Sequence, residues 1–243
     1  MPNAKNEMKT ITVFTILPFL LFSLVATGQT YKLTEFVETN LPEVSSPNWY
    51  NLNHSKHEFE VKNVNGSPQI FRAKDTPKYE LSIKGGTLIG TDNGEWGGEL
   101  IYRPNNTPEK VTKIKEGNIN SIFHFNNKIY FIEGLAHGVI SEGALFELEF
   151  SNKKFKYRKV LEFEDAPEAV AFDKDIILIA AHSNFYIIQD LKKELVLKDT
   201  FWNSLYPNSI AVLDDKNVYL GIRGGIVKLD LVTRTLKFFK YNQ

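Results

Sequence analysis

From about residue 78 onward, short apolar runs that often alternate with polar residues are separated by brief turns. The C-terminal stretch shows the unit best. Residues 209–213 form a β-type run, 214–217 a turn and 218–222 a second run. Arg223-Gly224-Gly225 turns again, with the glycines that a positive φ favours. Residues 226–231 alternate apolar and polar from Val227 on, the period of a half-buried strand, and 235–239 follow as a fourth run. Four strands of about five residues joined by short turns predict an antiparallel meander.

The same four-part phrase recurs upstream at intervals of about 40 to 46 residues. One copy comprises 168–172, 176–180, 185–188 and 194–197. The copy before it comprises 120–125, 128–132, 144–148 and 155–161, with a longer connection at 133–143. The earliest starts at Tyr79 and comprises 81–83, 87–91, 99–102 and 111–114. This period is that of a propeller blade, a unit that buries its apolar face only against its neighbours. The predicted fold is therefore all-β, a β-propeller of four-stranded antiparallel blades. An evenly spaced β-sandwich is the alternative, and the turns aligning in order across the copies favour the propeller.

The N-terminus reads as a targeting segment. Lys5 and Lys9 give a basic start, 11–26 is apolar but broken by Pro18, and Ala26-Thr27-Gly28 supplies small residues for cleavage before Gln29. A retained anchor is the competitor, and the apolar run is short for a span. Residues 1–28 are thus expected to be a signal peptide, with an extracytoplasmic (periplasmic or secreted) location and no integral membrane segment after cleavage. The remaining residues have room for five blades at about 40 to 45 residues each. Residues 29–77 form an irregular N-terminal segment, expected as a first blade or a plug, and 78–243 hold the regular blades. Within the former, 59–62 and 69–72 around Asn65-Gly66 predict a hairpin.

Composition narrows the partners. Zero Cys means that no disulfide staples the chain, so a packed core must hold it. The 29 basic and 29 acidic residues cancel and form no basic stripe, which argues against nucleic acid. The Lys153-Lys154 and Lys156 cluster reads as solvated edge charge. A small molecule, a glycan or a protein remains as the expected partner.

In a propeller, the starts of the inner strands and the turns after the second strands meet at one mouth, the kind of concave site that binds ligands. The starts carry Tyr79, Asn120, Glu168 and Asn208. The turns carry Asp92, Gly134 flanked by Glu133 and His137, His182, and Arg223. Asp92, Asn120, His137, Glu168, His182, Asn208 and Arg223 are the candidate ligand-binding residues, together with Trp96. Turn residues are polar in any protein, which is the plainer reading. Three chemistries fit the set. Glu168, Asn120 and Asn208 form an oxygen shell of the type that binds Ca²⁺. His137 and His182 suit a transition metal, though no third ligand stands at a characteristic spacing. Arg223 suits a carboxylate or phosphate. Trp96 lies in a glycine-rich loop, residues 90–99, that reads either as a sugar or aromatic platform or as a long turn whose Trp caps a core. No nucleophile elbow, zincin helix or Cys nucleophile is present.

Residues 207–212 with 219–221, and 167–172, resemble the inner-strand phrase of bacterial propeller repeats of the NHL, YVTN and two-component-regulator types. The resemblance implies a fold and a binding platform. Within that superfamily, lactonases of the gluconolactonase type hold Ca²⁺ through Glu, Asn and Asp at inner-strand starts, which Glu168, Asn120 and Asn208 match in part. Those enzymes have six blades, and no Asp aligns here. The expected function is a non-enzymatic, exported propeller that binds through its top face. A small Ca²⁺-dependent, lactonase-like hydrolase at the same mouth is the alternative. A structural role with residues 29–77 engaging a partner is the third reading.

Overall fold

The computed structural model describes residues 29–73, 78–151 and 154–242. The expected signal peptide, residues 1–28, and Lys153 lie outside them. The first elements are β1 (Thr30–Tyr31), β2 (Phe36–Thr39), α1 (Pro47–Asn53), β3 (Phe59–Val64) and β4 (Ser67–Arg72). Four meanders follow: β5 (Lys78–Ile83), β6 (Gly86–Thr91), β7 (Glu99–Pro104) and β8 (Thr112–Glu116), then β9 (Ile119–Phe125), β10 (Lys128–His137), β11 (Ile140–Ser151) and β12 (Lys154–Phe163). The third is β13 (Pro167–Asp173), β14 (Ile176–Ala181), β15 (Phe185–Gln189) and β16 (Lys192–Leu197). The last is β17 (Ser209–Asp214), β18 (Asn217–Ile222), β19 (Gly225–Asp230) and β20 (Thr235–Tyr241).

Local chemistry explains these elements. Asn65 and Gly66 take φ of 53° and 77°, the pair of positive values that a two-residue hairpin turn demands, and they join β3 to β4 where the sequence predicts a hairpin. Asn126 and Asn127 (φ 47° and 61°) do the same between β9 and β10. Helix α1 begins at Ser46, whose Oγ accepts from Trp49 N at 3.3 Å, with Pro47 in the first position. Its buried Trp49 and Leu52 pack with Phe201, Trp202, Leu205 and Leu220.

The strands form five separate antiparallel sheets. β5–β8, β9–β12 and β13–β16 are four-stranded, β17–β20 gains β2 as a fifth strand beyond β20, and β1-β4-β3 is three-stranded. Four hydrophobic clusters join them in a row. One lies between β5–β8 and β9–β12, around Leu88, Leu100, Ile119 and Phe131. The next lies between β9–β12 and β13–β16, around Phe123, Ile132 and Tyr186. A third, between β13–β16 and β17–β20, includes α1. The fourth sets Phe59, Val61 and Ile70 against Ala211, Tyr219 and Ile226. Gly221 permits that last approach, because a Cβ there would stand 1.9 Å from Phe59 O.

The expected five-bladed propeller is corrected by this arrangement. Among the described residues no hydrophobic cluster joins β1-β4-β3 to β5–β8, and no strand pairing closes a ring. Among the described residues the fold is all-β, with five small sheets that are not curled into one closed body. Turn chemistry and alternation specify each meander locally. They carry no information on whether the two ends of the row meet.

Candidate functional site

A cleft of about 660 Å³ opens where strand ends from all five sheets converge. Glu58 and Glu60 reach it from the three-stranded sheet, Tyr79 and Asp92 from β5–β8, and Asn120 and Gly134 from β9–β12. Glu168 comes from β13, and Asn208 and Arg223 from the last sheet. Five of the eight residues expected from the sequence, Asp92, Asn120, Glu168, Asn208 and Arg223, therefore line one site.

Two of them are placed by β-bulges. On β9, Ser121 pairs with Ile132 and Ile119 with Glu133, so Asn120 between them has no partner. On β13, Pro167 pairs with Ala181 and Ala169 with Ala180, which leaves Glu168 as the extra residue. A bulge re-aims the side chain of its unpaired residue, and bulges concentrate beside functional sites.

The hydrogen bonds are incomplete in a concentrated way. Asn120 Nδ2 donates to Asp92 Oδ2 at 3.1 Å, and Asp92 Oδ1 accepts from Gly94 N at 2.8 Å. Glu168 Oε1 lies 2.7 Å from His182 Nδ1. Asn208 Oδ1 accepts from Ser209 Oγ at 3.1 Å. Asn120 Oδ1, Glu168 Oε2 and Asn208 Nδ2 are closed off from bulk solvent and have no partner among the described residues. Each such buried orphan costs about 1–3 kcal/mol. Buried polar atoms are nearly always satisfied, so three orphans on residues of one cleft single it out as the candidate site. The fourth orphan, His57 Nδ1, lies on a second cleft of about 690 Å³ bordered by Lys56, Lys240 and Tyr241. With one such atom against three, that cleft is the weaker candidate although it is slightly larger.

Electrostatics mark the same residues. Burial pushes the Glu168 carboxyl above the usual carboxylate range, although the His182 hydrogen bond and charge pull it back in part. Burial also raises Asp92, against the Gly94 hydrogen bond. Burial, with Asp92 and Glu168 nearby, drives the Tyr79 hydroxyl well above its ordinary value. Burial pulls His182 down, but the hydrogen bond and charge of Glu168, with Asp165 behind, lift it above the usual imidazole value overall.

Arg223 is differently engaged. Its Nε and Nη2 donate to Glu58 Oε1 at 2.8 and 2.5 Å, its Nη1 donates to Asn53 O at 3.0 Å, and its guanidinium lies 4.4 Å from the Tyr206 ring centroid. The cation expected to meet an anionic ligand thus ties the segment after α1 to β18.

The remaining expected residues stand apart. His182 is 16% exposed and sits behind Glu168 rather than on the cleft lining. His137 Nε2 lies 3.2 Å from Glu95 on an exposed patch. Trp96 is 84% exposed in a short 3₁₀ turn, so it neither lines the cleft nor caps a core. Sequence reasoning missed Asp165, Ser204 and Tyr206. Asp165 is buried and accepts from Ser141 Oγ at 2.6 Å and from Ser183 N at 2.7 Å. These three lie in connections between strands, where no periodicity distinguishes a working polar residue from a turn residue.

Among the described residues no group of three or more His, Asp or Glu side chains is placed to hold a metal, and no helix is long and apolar enough to cross a membrane. No protein-family model matches the chain, and no curated protein matches it. Solved structures similar to it include the computationally designed Ika4 protein, 12% identical with a TM-score of 0.39 over 69% of this chain and 93% of that one. The computationally designed Ika8 protein is likewise 12% identical with a TM-score of 0.39, over 76% of this chain and 56% of that one. Likenesses of this degree carry no argument. The expected resemblance to NHL, YVTN and two-component-regulator repeats finds no support in these comparisons. Because no pairing or cluster closes a ring among the described residues, the expected propeller platform and the lactonase-like alternative that used the same propeller mouth are corrected.

Proposed function

We propose that the cleft recognises a small organic ammonium compound that also carries a hydroxyl or carbonyl oxygen. The orphan set carries this reading: two acceptors, Asn120 Oδ1 and Glu168 Oε2, and one donor, Asn208 Nδ2. An ammonium group supplies N–H donors for the first two, and a neighbouring oxygen accepts from the third. Charge supports the same choice. Four carboxylates (Glu58, Glu60, Asp92 and Glu168) line the cleft; Arg223 pairs with Glu58 and Lys62 with Glu60 at 3.1 Å, which leaves Asp92 and Glu168 without a Lys or Arg partner among the described residues. An anionic ligand would meet repulsion, whereas a cation relieves the desolvated Glu168.

Calorimetric titration with ethanolamine and glucosamine, beside ethylene glycol, glucose and glycolate, tests this. The amines bind and the neutral and anionic counterparts do not. Glu168→Gln weakens the amines at least about tenfold, or 1.4 kcal/mol. Binding releases protons where Glu168 is partly protonated, because the ammonium favours its ionised form. Equal affinity for the neutral compounds, no binding of either amine, or unchanged amine affinity in Glu168→Gln overturns the reading.

A further inference from the structure

We propose that Ser204, His182 and Glu168 form a nucleophile, base and orienting carboxylate that hydrolyse small carboxylic esters. His182 Nε2 lies 3.1 Å from Ser204 Oγ, and His182 Nδ1 lies 2.7 Å from Glu168 Oε1. Both distances fall in the range through which a hydroxyl passes its proton to an imidazole held by a carboxylate. The constellation uses Oε1 of Glu168, whereas the ammonium reading uses Oε2; the two share the carboxylate but are told apart by labelling and by amine titration.

Independent geometry supports it. Ser204 has a φ of 58° and Tyr206 a φ of 53°, left-handed values that most side chains avoid. They flank Leu205 in the long connection between β16 and β17, unlike Asn65, Asn126 and Asn127, which take such values in two-residue hairpins. Backbone of this kind persists where surrounding contacts enforce it and clusters at working sites. The contacts are present. Asn53 Nδ2 donates to Ser204 O at 2.7 Å, Leu205 N donates to Trp202 O at 2.7 Å, and Arg223 N donates to Leu205 O at 2.7 Å. His182 is fixed as well, by Glu168 on one ring nitrogen and by its backbone N–H, which donates to Ala166 O at 2.8 Å. The Tyr206 ring stands edge-on to the imidazole at 6.3 Å. Ser204 is half-buried, which favours short acyl groups.

The chemistry balances with water as the only co-reactant. Ser204 Oγ forms a bond to the ester carbonyl carbon while its proton passes to His182 Nε2. The carbonyl carbon–alkoxy oxygen bond then breaks, and the leaving alcohol takes that proton. A water molecule attacks the acyl-serine, again giving its proton to His182 Nε2, and Ser204 Oγ departs with that proton as the carboxylic acid leaves. Glu168 stays ionised on Nδ1 throughout as a positioning residue. Ser204 Oγ also stands 2.9 Å from Asn203 Oδ1, which competes for the hydroxyl proton. With the Asn203 amide turned, its Nδ2 donates to Oγ and the proton is left to His182.

The test is labelling of the full chain with a fluorophosphonate ester, mapped by mass spectrometry, alongside p-nitrophenyl acetate hydrolysis. One probe is expected per chain, on Ser204. Ser204→Gly abolishes it, and because glycine accepts a φ of 58° without strain this variant keeps the fold. His182→Ala slows labelling by about 10²- to 10⁴-fold. Glu168→Gln slows it and shifts its pH midpoint downward, since His182 loses the charge that, with Asp165, lifts it. A purely structural Glu168 would leave the midpoint in place. A folded wild-type chain that takes no label, or labelling unchanged in Ser204→Gly, overturns the proposal. A chain that binds amines yet takes no label keeps the cleft reading and loses this one.

Discussion

Two corners of one cleft treat their charges in opposite ways. At Arg223 three guanidinium nitrogens are engaged by Glu58 and Asn53, and Tyr206 covers a face. At Glu168 one oxygen is held by His182 and the other is buried without a partner among the described residues, as are one side-chain atom each of Asn120 and Asn208. Both residues occupy strand-end positions that look alike in the sequence. The first corner joins two sheets and is complete by itself. The second leaves buried polar atoms without partners among the described residues, and that difference is what the proposed recognition rests on.

The sharpest way to break this contrast is Arg223→Ala. It strands Glu58 in a half-buried position and removes the contact with Tyr206, so it costs about 2 kcal/mol in urea denaturation, while amine affinity is kept or raised because the cleft lining loses its guanidinium. Arg223→Lys restores only part of that, because a single ammonium cannot reproduce the fork. If Arg223→Ala unfolds at the wild-type midpoint, the Arg223 corner is not structural and the contrast fails.

The pH dependence of stability comes next. Glu168, Asp92 and His182 all have raised values, so the folded protein holds more protons than the unfolded chain. Their contribution is full below the ordinary unfolded values and is lost as pH rises through the raised ones. The carboxylates Glu147 and Glu164 have lowered values, through hydrogen bonds from Lys128 and Lys193 first of all. Their contribution is present above the ordinary carboxylate value and is lost as pH falls. Urea denaturation between about pH 5 and about pH 8 should therefore show a smaller fall in stability for Glu168→Gln than for the wild type. An equal or steeper fall in the variant would mean that the Glu168 corner carries no such burden.

The smallest effect is expected at Trp96. With 84% of it exposed, Trp96→Ala should change stability by less than about 0.5 kcal/mol and leave the amine titration unchanged. A tenfold loss of amine affinity would place the loop at the site after all.

The strand-start positions Asn120, Glu168 and Asn208 could be read from aligned repeats, since each stands just before an apolar run. That they hold three buried orphans could not be read, because bulges at Asn120 and Glu168 leave no mark in the pattern. His182 was legible as a turn residue but not as a partner of Ser204, 22 positions away and in a connection without periodicity. Arg223 was legible as a charge, whereas its neutralisation by Glu58, 165 positions away, was not.

By itself the sequence determined the meanders, through alternation with period two, and the hairpins, through residues such as Asn65-Gly66 that accept positive φ. These are short-range effects of backbone sterics and side-chain direction. Only the tertiary structure decided that residues 29–73 split between two sheets, that the row of sheets is not closed by a fifth core among the described residues, and which strand-end polar groups find partners. Those outcomes depend on contacts between residues far apart in the chain, which no local pattern records.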